Sequence, residues 1–407
     1  MEKNDVVVVS AVRTPFGKFG GTLKDIPSIE LGAMVIREVL KRVNVKGEEV
    51  EETYYGSAVP GEVGLETDVP ARQATLKAGM PADHVSLTLD RACCSSLAAV
   101  RLGFRAIRAG EIEVALGVGA ENMSRTPLIV PPHVRWGSKL GNIELWDGLF
   151  GLGYKGFNPV SVDAGEVALE YGITREDQDR WAYQSQIRYA KAFAEGKFKI
   201  GEELVRVEIP LKKGPPIVLE KDEFPKPDTT LEKLAMLPLV YGSPTVTAGN
   251  APGLDTGASA ILLMSEKKAK EKGLKPLAKI LSMVATATTP RLIAAIPGIT
   301  IQKALEKALV SLEQVDLIEI NEAFAAMPLV STKILADGDS KKMDSLLEKT
   351  NVNGGAIAIG HPVGASGARI LMTLIYELRR RGGGIGVASI CGGLAQGDGA
   401  VVEVERE

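Results

Sequence analysis

SSLAAVRLGFRAIRAG at positions 95–110 leads into EVALGVGA at 113–120, and this order returns in ASGARILMTLIYELRRRG at 365–382 and GIGVASICGG at 384–393. In both copies, a segment with the apolar spacing of a helix precedes an apolar strand. Two further pairs share the offset of about 270 residues: IPSIELGAMVIREVL with IPGITIQKALEKAL, and VVVVSAVRTP with AKILSMVATATTP. Any two α/β segments share some of this pattern, but three ordered matches at one offset predict an internal duplication into two similar α/β halves.

The N-terminal part of the chain alternates strand and helix patterns. VVVVSAV at 6–12 and EVALGVGAEN at 113–122 are apolar enough for buried strands, and SIELGAMVIREVLKRV at 28–43 has helical spacing. Alternation of this kind predicts an α/β domain with a largely parallel or mixed sheet. We assign residues 1–120, together with about 245–270, to this N-terminal half.

The middle of the chain, residues 121–244, has a different composition. It contains the Pro- and Gly-rich stretches PLIVPPHVRWG and LFGLGYKGFNP, and the polar helix pattern REDQDRWAYQSQIRYAKAFAEG. Thr174 and Asp177 approximate a capping box at the start of that helix. Such an excursion is too long for a connection. We therefore predict an inserted loop domain at 121–244 and a C-terminal half at 271–407.

Composition excludes several classes of protein. The chain has 407 residues, 45% of them hydrophobic and 24% charged, with a net charge of −3, which argues against a nucleic-acid surface or a membrane patch. Three Cys and three His predict neither a disulfide framework nor a metal site in this chain, and favour a reducing compartment. Neither a targeting segment nor an apolar run long enough to span a membrane is evident, so we expect a cytoplasmic protein.

Two adjacent cysteines, Cys93 and Cys94, stand in LDRACCSSLAAV where a helix is expected to begin. The partial positive charge at a helix N-terminus favours a thiolate and lowers the pKa of a thiol there. Adjacent helical residues point in directions about 100° apart, so both thiols cannot face one cavity. The alternative is that both are small buried apolar residues.

Three other stretches carry side chains suited to acid–base chemistry. NVNGGAIAIGHPVGASGARI places His361 in a glycine-rich loop before a helix, where it is a candidate base for a thiol. ASICGGLAQGDGAV places Cys391 at the end of a strand, before a glycine turn whose N–H groups could hold an oxyanion. EINEAFA places Asn321 after an apolar strand, where an amide can hold a water or donate to an oxyanion. Each of these signals is weak by itself.

Together these motifs closely resemble the thiolase family, the acyl-CoA acetyltransferases. The resemblance covers almost the whole chain and includes VVVVSAVRTPFGKFGG, DTTLEKLAML, TVTAGNAPGLDTGASAILLMS and GGLAQGDGAVVEVE. It implies two duplicated βαβαβαββ-type halves in a layered αβαβα core, with a loop domain over the CoA and acyl site. It also implies CoA-dependent cleavage of a 3-oxoacyl-CoA, or the reverse Claisen condensation. The register that keeps SSLAAV on the helix puts Cys93 at the nucleophile position and leaves Cys94 as a packing residue.

The family mechanism assigns a role to each candidate residue. His361 takes the proton of Cys93, whose sulfur attacks the 3-oxoacyl-CoA and keeps an acyl group. Cys391 then protonates the released enolate, and free CoA removes the acyl group. One oxyanion hole would use His361 and a water held by Asn321, and the other would use the backbone N–H groups of Cys93 and Gly393.

The resemblance also implies a set of contacts to coenzyme A, which is a substrate and product here. Those contacts are Lys226, Lys233, Leu234, Ala248, Pro252 and Leu254. Pro252 departs from the family pattern, because relatives carry a Ser there that hydrogen-bonds the pantetheine arm. Lys226 stands where Arg is often found, and a solvated surface lysine is the alternative interpretation.

Other departures bear on the acyl group. Asp90 replaces the usual Asn, Ser96 replaces a Gly, and Val160 and Ser161 replace a Met-Gly pair. Neutral drift at pocket edges is one explanation. The other is a thiolase for a bulky or aromatic 3-oxoacyl-CoA of the benzoylsuccinyl type, working with a small zinc-bearing partner subunit.

Two further classes share parts of this pattern. A ketoacyl-synthase-type condensing enzyme has the same fold and nucleophile, but Cys391 and the Gly-His-Pro loop favour the thiolase branch. A non-catalytic thiolase-like scaffold subunit is disfavoured by the complete set of candidate catalytic side chains. The resemblance implies a homodimer or homotetramer that acts on acyl-CoA substrates, with neither nucleic acid nor membrane as a partner.

Overall fold

The computed structural model of the protein describes residues 4–59, 62, 64–149 and 154–406. Its strands are β1 (Val6–Arg13), β2 (Glu52–Gly56), β3 (Val85–Leu89), β4 (Val114–Asn122), β5 (Leu128–Ile129), β6 (Trp146–Asp147), β7 (Val207–Ile209), β8 (Ile217–Leu219), β9 (Thr256–Ser265), β10 (Ala278–Ala287), β11 (Leu317–Ile320), β12 (Gly384–Gly392) and β13 (Gln396–Val404). Its α-helices are α1 (Ser28–Lys41), α2 (Pro70–Lys77), α3 (Ser95–Ala109), α4 (Val160–Glu170), α5 (Arg175–Ala194), α6 (Leu231–Ala235), α7 (Glu266–Glu271), α8 (Ile296–Ala308), α9 (Ala326–Leu335), α10 (Ser340–Glu348), α11 (Ala356–Ile359) and α12 (Ser366–Arg380). The ends of the predicted domains, 1–3 and 407, and residues 150–153 of the predicted loop domain lie outside the described residues.

The N-terminal half is a mixed sheet with the strand order β1-β9-β4-β2-β3. β9 runs antiparallel to both β1 and β4, whereas β2 runs parallel to both β4 and β3. In sequence this half reads β1, α1, β2, α2, β3, α3, β4 and then β9. This is the predicted order of elements, with the middle segment inserted between the last two strands.

The C-terminal half repeats the arrangement with the order β10-β13-β12-β11. β13 is antiparallel to β10 and β12, and β11 is parallel to β12. A single parallel bridge between Ile318 and Thr350 stands where the N-terminal half has its β2–β3 pair. The same sequence of pairings in both halves confirms the predicted duplication and the α/β fold class.

The two halves stack so that helices alternate with sheets. α3 and α12 pack on each other between the sheets, and α1 and α2 cover the outer face of the N-terminal sheet. α8 covers the other outer face, and α9 packs against α8. α3 buries Leu97, Val100, Phe104 and Ile107 together with most of its small residues, as expected of a helix enclosed between two layers. A short antiparallel contact of β1 with β10 joins the sheets at their edges. The layered αβαβα core is therefore confirmed.

The middle segment forms the small hairpins β5–β6 and β7–β8 and the helices α4 to α6. α5 begins as predicted, because Thr174 accepts a hydrogen bond from the Asp177 N–H and Asp177 accepts one back. α5 packs on α11, next to the loop that carries His361. The division at 121 and 244 stays a prediction. In the part of the chain that is described, no helix has the length and apolarity needed to cross a membrane.

Candidate active site

The nucleophile loop is a tight turn between β3 and α3. Asp90 Oδ1 accepts a 2.7 Å hydrogen bond from the Ala92 N–H, and Ala92 has a φ of 49°, a left-handed conformation uncommon for a residue with a side chain. A 3₁₀ turn over Ala92–Cys94 follows, and α3 begins at Ser95. The cysteines therefore precede the α-helix, whereas the sequence pattern predicted a helix beginning near Cys93.

The two adjacent thiols have different environments. Cys93 is partly buried and lines a cavity, whereas Cys94 is fully buried and its Sγ donates a 3.4 Å hydrogen bond to the Ile390 carbonyl. Cys94 also packs against Gly392, where an added Cβ would lie 2.8 Å from its sulfur. Of these two adjacent thiols, Cys93 alone faces the cavity, whereas Cys94 packs beneath the C-terminal glycine turn.

His361 lies against Cys93, with 3.2 Å between its Nε2 and the thiol Sγ. Its Nδ1 lies 2.6 Å from Ser366 Oγ, and that hydroxyl donates its own proton to the Pro362 carbonyl at 2.9 Å. Since the Ser366 hydroxyl already donates its hydrogen to the carbonyl, its oxygen accepts a hydrogen bond from the Nδ1–H of His361. The neutral imidazole therefore carries its proton on Nδ1 and presents the Nε2 lone pair to Cys93.

The backbone of the histidine loop is held by a buried carboxylate. The His361 N–H donates a 2.7 Å hydrogen bond to Asp255 Oδ2, while Asp255 Oδ1 has no hydrogen-bond partner among the described residues. Gly360 has a φ of 108°, and a Cβ there would lie 2.8 Å from Asp255 Oδ2. Only glycine permits this approach, which brings the imidazole into the cavity.

A second buried carboxylate, Glu322, ties the middle segment to the histidine loop. Its Oε1 accepts from the Trp181 indole N–H at 2.9 Å, and its Oε2 accepts from the Ser185 hydroxyl at 2.8 Å and the Ile357 N–H at 3.0 Å. Asn351 Nδ2 donates to the same carboxylate at 2.9 Å. Glu322 therefore connects α5 with both ends of the stretch that leads to His361.

One cavity of about 230 Å³ brings the predicted reactive groups together. Cys93, His361, Cys391 and Gly393 line it, although they come from both halves of the chain. Its other walls are largely apolar and include Met123, Leu149, Val160, Pro252, Leu254, Phe324, Met327 and Val363. Tyr154 also lines it, and its hydroxyl lies against Gly393. A largely apolar cavity with a few convergent polar groups is typical of a small-molecule site.

The electrostatics of the thiol differ from those that we predicted. Burial, together with the carboxylates of Glu121 and Asp90, raises the pKa of Cys93 to about 12. Burial, assisted by the positive charge of Arg369, lowers the pKa of His361 to about 3. Desolvation outweighs the helix terminus, so the resting pair is a neutral thiol and a neutral imidazole. The prediction that the helix N-terminus lowers the pKa of this thiol is therefore wrong.

Asn321 lies behind the cavity rather than on its wall. The residue is fully buried after β11, and its Oδ1 accepts a 3.1 Å hydrogen bond from Arg369 Nη2. Its Nδ2 has no hydrogen-bond partner among the described residues. Ala323 and Phe324 of the same segment do line the cavity. The amide therefore retains a donor, and its predicted role toward a water stays a prediction.

The predicted coenzyme A contacts divide between two adjoining cavities. Lys226, Lys233 and Leu234 line a second cavity of about 220 Å³, whereas Pro252 and Leu254 line the reactive one. The two cavities adjoin, because Ala251 lines the second cavity and the next residue, Pro252, lines the reactive one. Ala248 is exposed and lines neither cavity. Its neighbour Gly249 does line the second cavity, so the predicted contact of Ala248 stays a prediction.

Four residues with a clear place in this site were missed from the sequence: Ser366, Asp255, Glu322 and Arg369. The sequence carried a signal for Ser366, a hydroxyl one helical turn beyond the His-Pro pair. Asp255 and His361 are far apart in sequence, and no local pattern pairs them. Within the described ranges, no group of three or more His, Cys, Asp or Glu side chains is arranged to hold a metal ion.

Two family models match the chain, the thiolase N-terminal domain over residues 6–267 and the thiolase C-terminal domain over 274–404. The chain belongs to the thiolase family. It is 44% identical over 409 residues to an acetyl-CoA acetyltransferase of Cupriavidus necator, with 99% of this chain and 100% of the relative covered. Human mitochondrial 3-ketoacyl-CoA thiolase is 37% identical, with a TM-score of 0.91 and 100% of both chains covered. Its complex with CoA is also 37% identical, with a TM-score of 0.89 over 99% of this chain and 98% of that chain.

Membership of this family makes the chain an acyltransferase with thiolase activity. The predicted family, fold class and enzyme class are therefore confirmed. Neither the ketoacyl-synthase alternative nor the inert scaffold is favoured, because both thiolase models match and the relatives are named as acetyltransferases. The thiolase for a bulky or aromatic acyl group is not favoured either, since sequence relatives at 40–44% identity are named acetyl-CoA acetyltransferases.

Proposed function

We propose that the chain cleaves a short 3-oxoacyl-CoA with free CoA, and catalyses the reverse Claisen condensation, through an acyl-enzyme on Cys93. The observation that carries this proposal is the 3.2 Å contact between Cys93 Sγ and His361 Nε2, in a cavity that also holds Cys391. A thiol at hydrogen-bond distance from the lone pair of a neutral imidazole is a nucleophile paired with its general base.

The first half-reaction moves one proton and breaks one carbon–carbon bond. His361 Nε2 takes the thiol proton as Cys93 Sγ bonds to the 3-carbonyl carbon. When the resulting oxyanion collapses, the bond between carbons 2 and 3 breaks, and its electron pair passes to the CoA thioester as an enolate. Cys391 donates its proton to carbon 2, which releases acetyl-CoA and leaves the shortened acyl group on Cys93.

The second half-reaction restores the resting state. The Cys391 thiolate takes the proton of free CoA, whose sulfur attacks the acyl carbon on Cys93. As the carbon–sulfur bond to Cys93 breaks, the His361 imidazolium returns its proton to the leaving sulfur. Both half-reactions pass through one covalent intermediate, so ping-pong kinetics are expected.

Two sets of donors are proposed for the developing oxyanions. The backbone N–H groups of Cys93 and Gly393 would serve one carbonyl, and the His361 imidazolium with a water held by Asn321 would serve the other. The unpaired Asn321 Nδ2 supports this role. The loss of one such donor typically lowers the rate by about 10²–10³-fold.

Coenzyme A would lie along the two adjoining cavities. Lys226 stands at the rim of the second cavity with its Nζ 4.7 Å above the Phe224 ring, where it could meet a phosphate. The pantetheine arm would pass Pro252 and Leu254 to reach Cys93. No metal takes part in the proposed chemistry.

The proposal includes a homo-oligomer, a dimer or a tetramer, in a reducing, cytoplasmic setting. Exposed apolar residues at Trp136, Leu140 and Trp146 support self-association, and three free cysteines support the reducing compartment. A requirement for a small zinc-bearing partner subunit would appear as inactivity of the purified chain alone.

The test is to trap the acyl group. Acetoacetyl-CoA is added without free CoA, and the masses of the intact protein and of its peptides are measured by mass spectrometry. An acetyl adduct on Cys93 is expected, absent in Cys93→Ala and retained in the matched variant Cys94→Ala. Adduct formation in Cys93→Ala, or none in the wild type together with no thiolysis, would contradict the proposal.

A further inference from the structure

A fully buried arginine lies behind the active-site cavity with no role in the proposed chemistry. Arg369 is in the first turn of α12, which follows the histidine loop, and its side chain is 0% exposed. Its Nη1 lies 3.7 Å from Glu319 Oε2, and neither its Nε nor its Nη1 has a hydrogen-bond partner among the described residues. A buried guanidinium that leaves donors unpaired is costly. A role as the counter-charge of Glu319 alone therefore does not explain why Arg369 is buried here.

Among the described residues, this guanidinium donates one hydrogen bond, the 3.1 Å contact from Nη2 to Asn321 Oδ1. A guanidinium has donors only, whereas an amide has an acceptor at one end and donors at the other. The amide can therefore satisfy Arg369 in one orientation, with Oδ1 toward the guanidinium. The Nδ2 group is then directed elsewhere, and it is this group that has no partner within the described chain.

We propose that Arg369 is a positioning residue that fixes the Asn321 amide with its N–H group, rather than its oxygen, available to the proposed oxyanion site. A flipped amide would present its oxygen to the proposed water and would accept one of the two protons with which that water could stabilise the oxyanion. This inference rests on the proposed function, because Asn321 needs an oxyanion to serve.

The experiment is a double-mutant cycle with kcat and KM measured for acetoacetyl-CoA thiolysis. Asn321→Ala is expected to lower kcat by about 10²–10³-fold, the usual effect of losing one oxyanion donor. Arg369→Met is expected to lower kcat by about 10²-fold or more with KM changed less than threefold, since the donor acts in the transition state. Arg369→Met added to Asn321→Ala is expected to cost less than about threefold, because both changes remove one interaction.

Glu319→Gln is the matched control for a purely structural role. It removes the ionisable carboxyl that faces Arg369 Nη1 and leaves the contact to Asn321 in place. We expect its kcat within about threefold of wild type, whereas a counter-charge role predicts a fall as large as that of Arg369→Met. If Arg369→Met does not fold, Arg369→Lys tests the same point. As a single change it should give a kcat between those of wild type and Asn321→Ala, and added to Asn321→Ala it should cause no further loss.

The outcomes separate this inference from the function on which it rests. A wild-type enzyme without thiolysis overturns both. An active wild type whose Cys93→Ala variant is dead, with Arg369 variants at wild-type kcat, overturns only the positioning role. The positioning role is also overturned if the fold-loss of kcat in the double variant equals the product of the losses in the two single variants, since the free-energy effects of independent residues add.

Discussion

The Nδ1 atom of His361 and the Oγ atom of Ser366 lie 2.6 Å apart, and this contact decides which nitrogen of the imidazole faces the thiol. The hydroxyl is committed as a donor to the Pro362 carbonyl, so it can only accept from Nδ1–H. With the hydroxyl absent, the imidazole loses the partner that selects this tautomer. The general base would then spend part of its time with a proton on the nitrogen that must accept one.

Removal of this hydroxyl should therefore reduce turnover without removing the nucleophile. Ser366→Ala is expected to lower kcat/KM for acetoacetyl-CoA thiolysis by about 10- to 100-fold, less than the loss of the base itself, which costs about 10²–10⁴-fold. Ser366→Thr keeps the hydroxyl and should restore most of the rate. Equal rates for the alanine and threonine variants would contradict the role of the hydroxyl.

The resting protonation state of Cys93 can be read from its alkylation by iodoacetamide. The pKa of Cys93 is raised to about 12, chiefly by burial, so the reactive thiolate is a small fraction near neutral pH and grows as pH rises. The alkylation rate should climb through pH 10 by about tenfold per pH unit. Peptide mass spectrometry at several pH values measures it, with the buried Cys94 as an internal control. An alkylation rate that reaches a plateau below pH 8 would contradict the raised pKa and would show that the helix terminus stabilises the thiolate by more than desolvation destabilises it.

Periodicity was sufficient to predict the two α/β halves, because the spacing of apolar residues along the chain distinguishes a buried strand from an amphipathic helix. Their layering into an αβαβα core came from the family resemblance. The grouping of Cys93, His361 and Cys391 came from the family resemblance. The duplication offers a physical reason for it, since Cys93 precedes α3, the helix that packs on α12 between the sheets.

The missed features depend on tertiary contacts or on desolvation. Asp255 directly precedes β9 of the N-terminal half and His361 lies in the C-terminal half, so the two residues meet only in the tertiary structure. The direction of the Cys93 pKa shift depends on how much water is lost around the sulfur, which no local pattern reports. The predicted contact of Ala248 with coenzyme A stays a prediction, because a motif match fixes the position of a residue in a loop and not its exposure to a cavity.

The carboxyl of Asp255 should make stability depend on pH. Its pKa is raised from 3.8 to about 7 in the folded state, mainly by burial. A folded-state pKa above the unfolded value means that the native protein holds the proton more tightly, so stability falls as pH rises from about 4 to 7. Asp255→Asn should show a smaller loss of urea midpoint across that window than wild type, with the exposed Asp344→Asn as control. Parallel curves for wild type and Asp255→Asn would contradict the shift.

Lys226 and Lys233 line the same cavity, but only one has a charge available for a ligand. Lys233 Nζ donates to the Asp228 carbonyl at 2.7 Å and to its carboxylate at 3.1 Å. Lys226 Nζ lies over the Phe224 ring and forms no ion pair with the residues that the structure describes. Lys226→Ala should therefore raise KM for CoA by about 3- to 10-fold, or roughly 1 kcal/mol, with kcat unchanged.

Lys233→Ala provides the matched comparison, because it removes an equal charge that Asp228 already neutralises. We expect its KM within about twofold of wild type, since little attraction for a phosphate is lost. The difference between the two variants should shrink as salt is raised from 0.05 to about 0.5 M, because exposed charges are screened. Steady-state thiolysis with varied CoA measures both constants. A larger effect at Lys233 than at Lys226, or a salt-independent effect at Lys226, would show that the phosphate contact lies elsewhere.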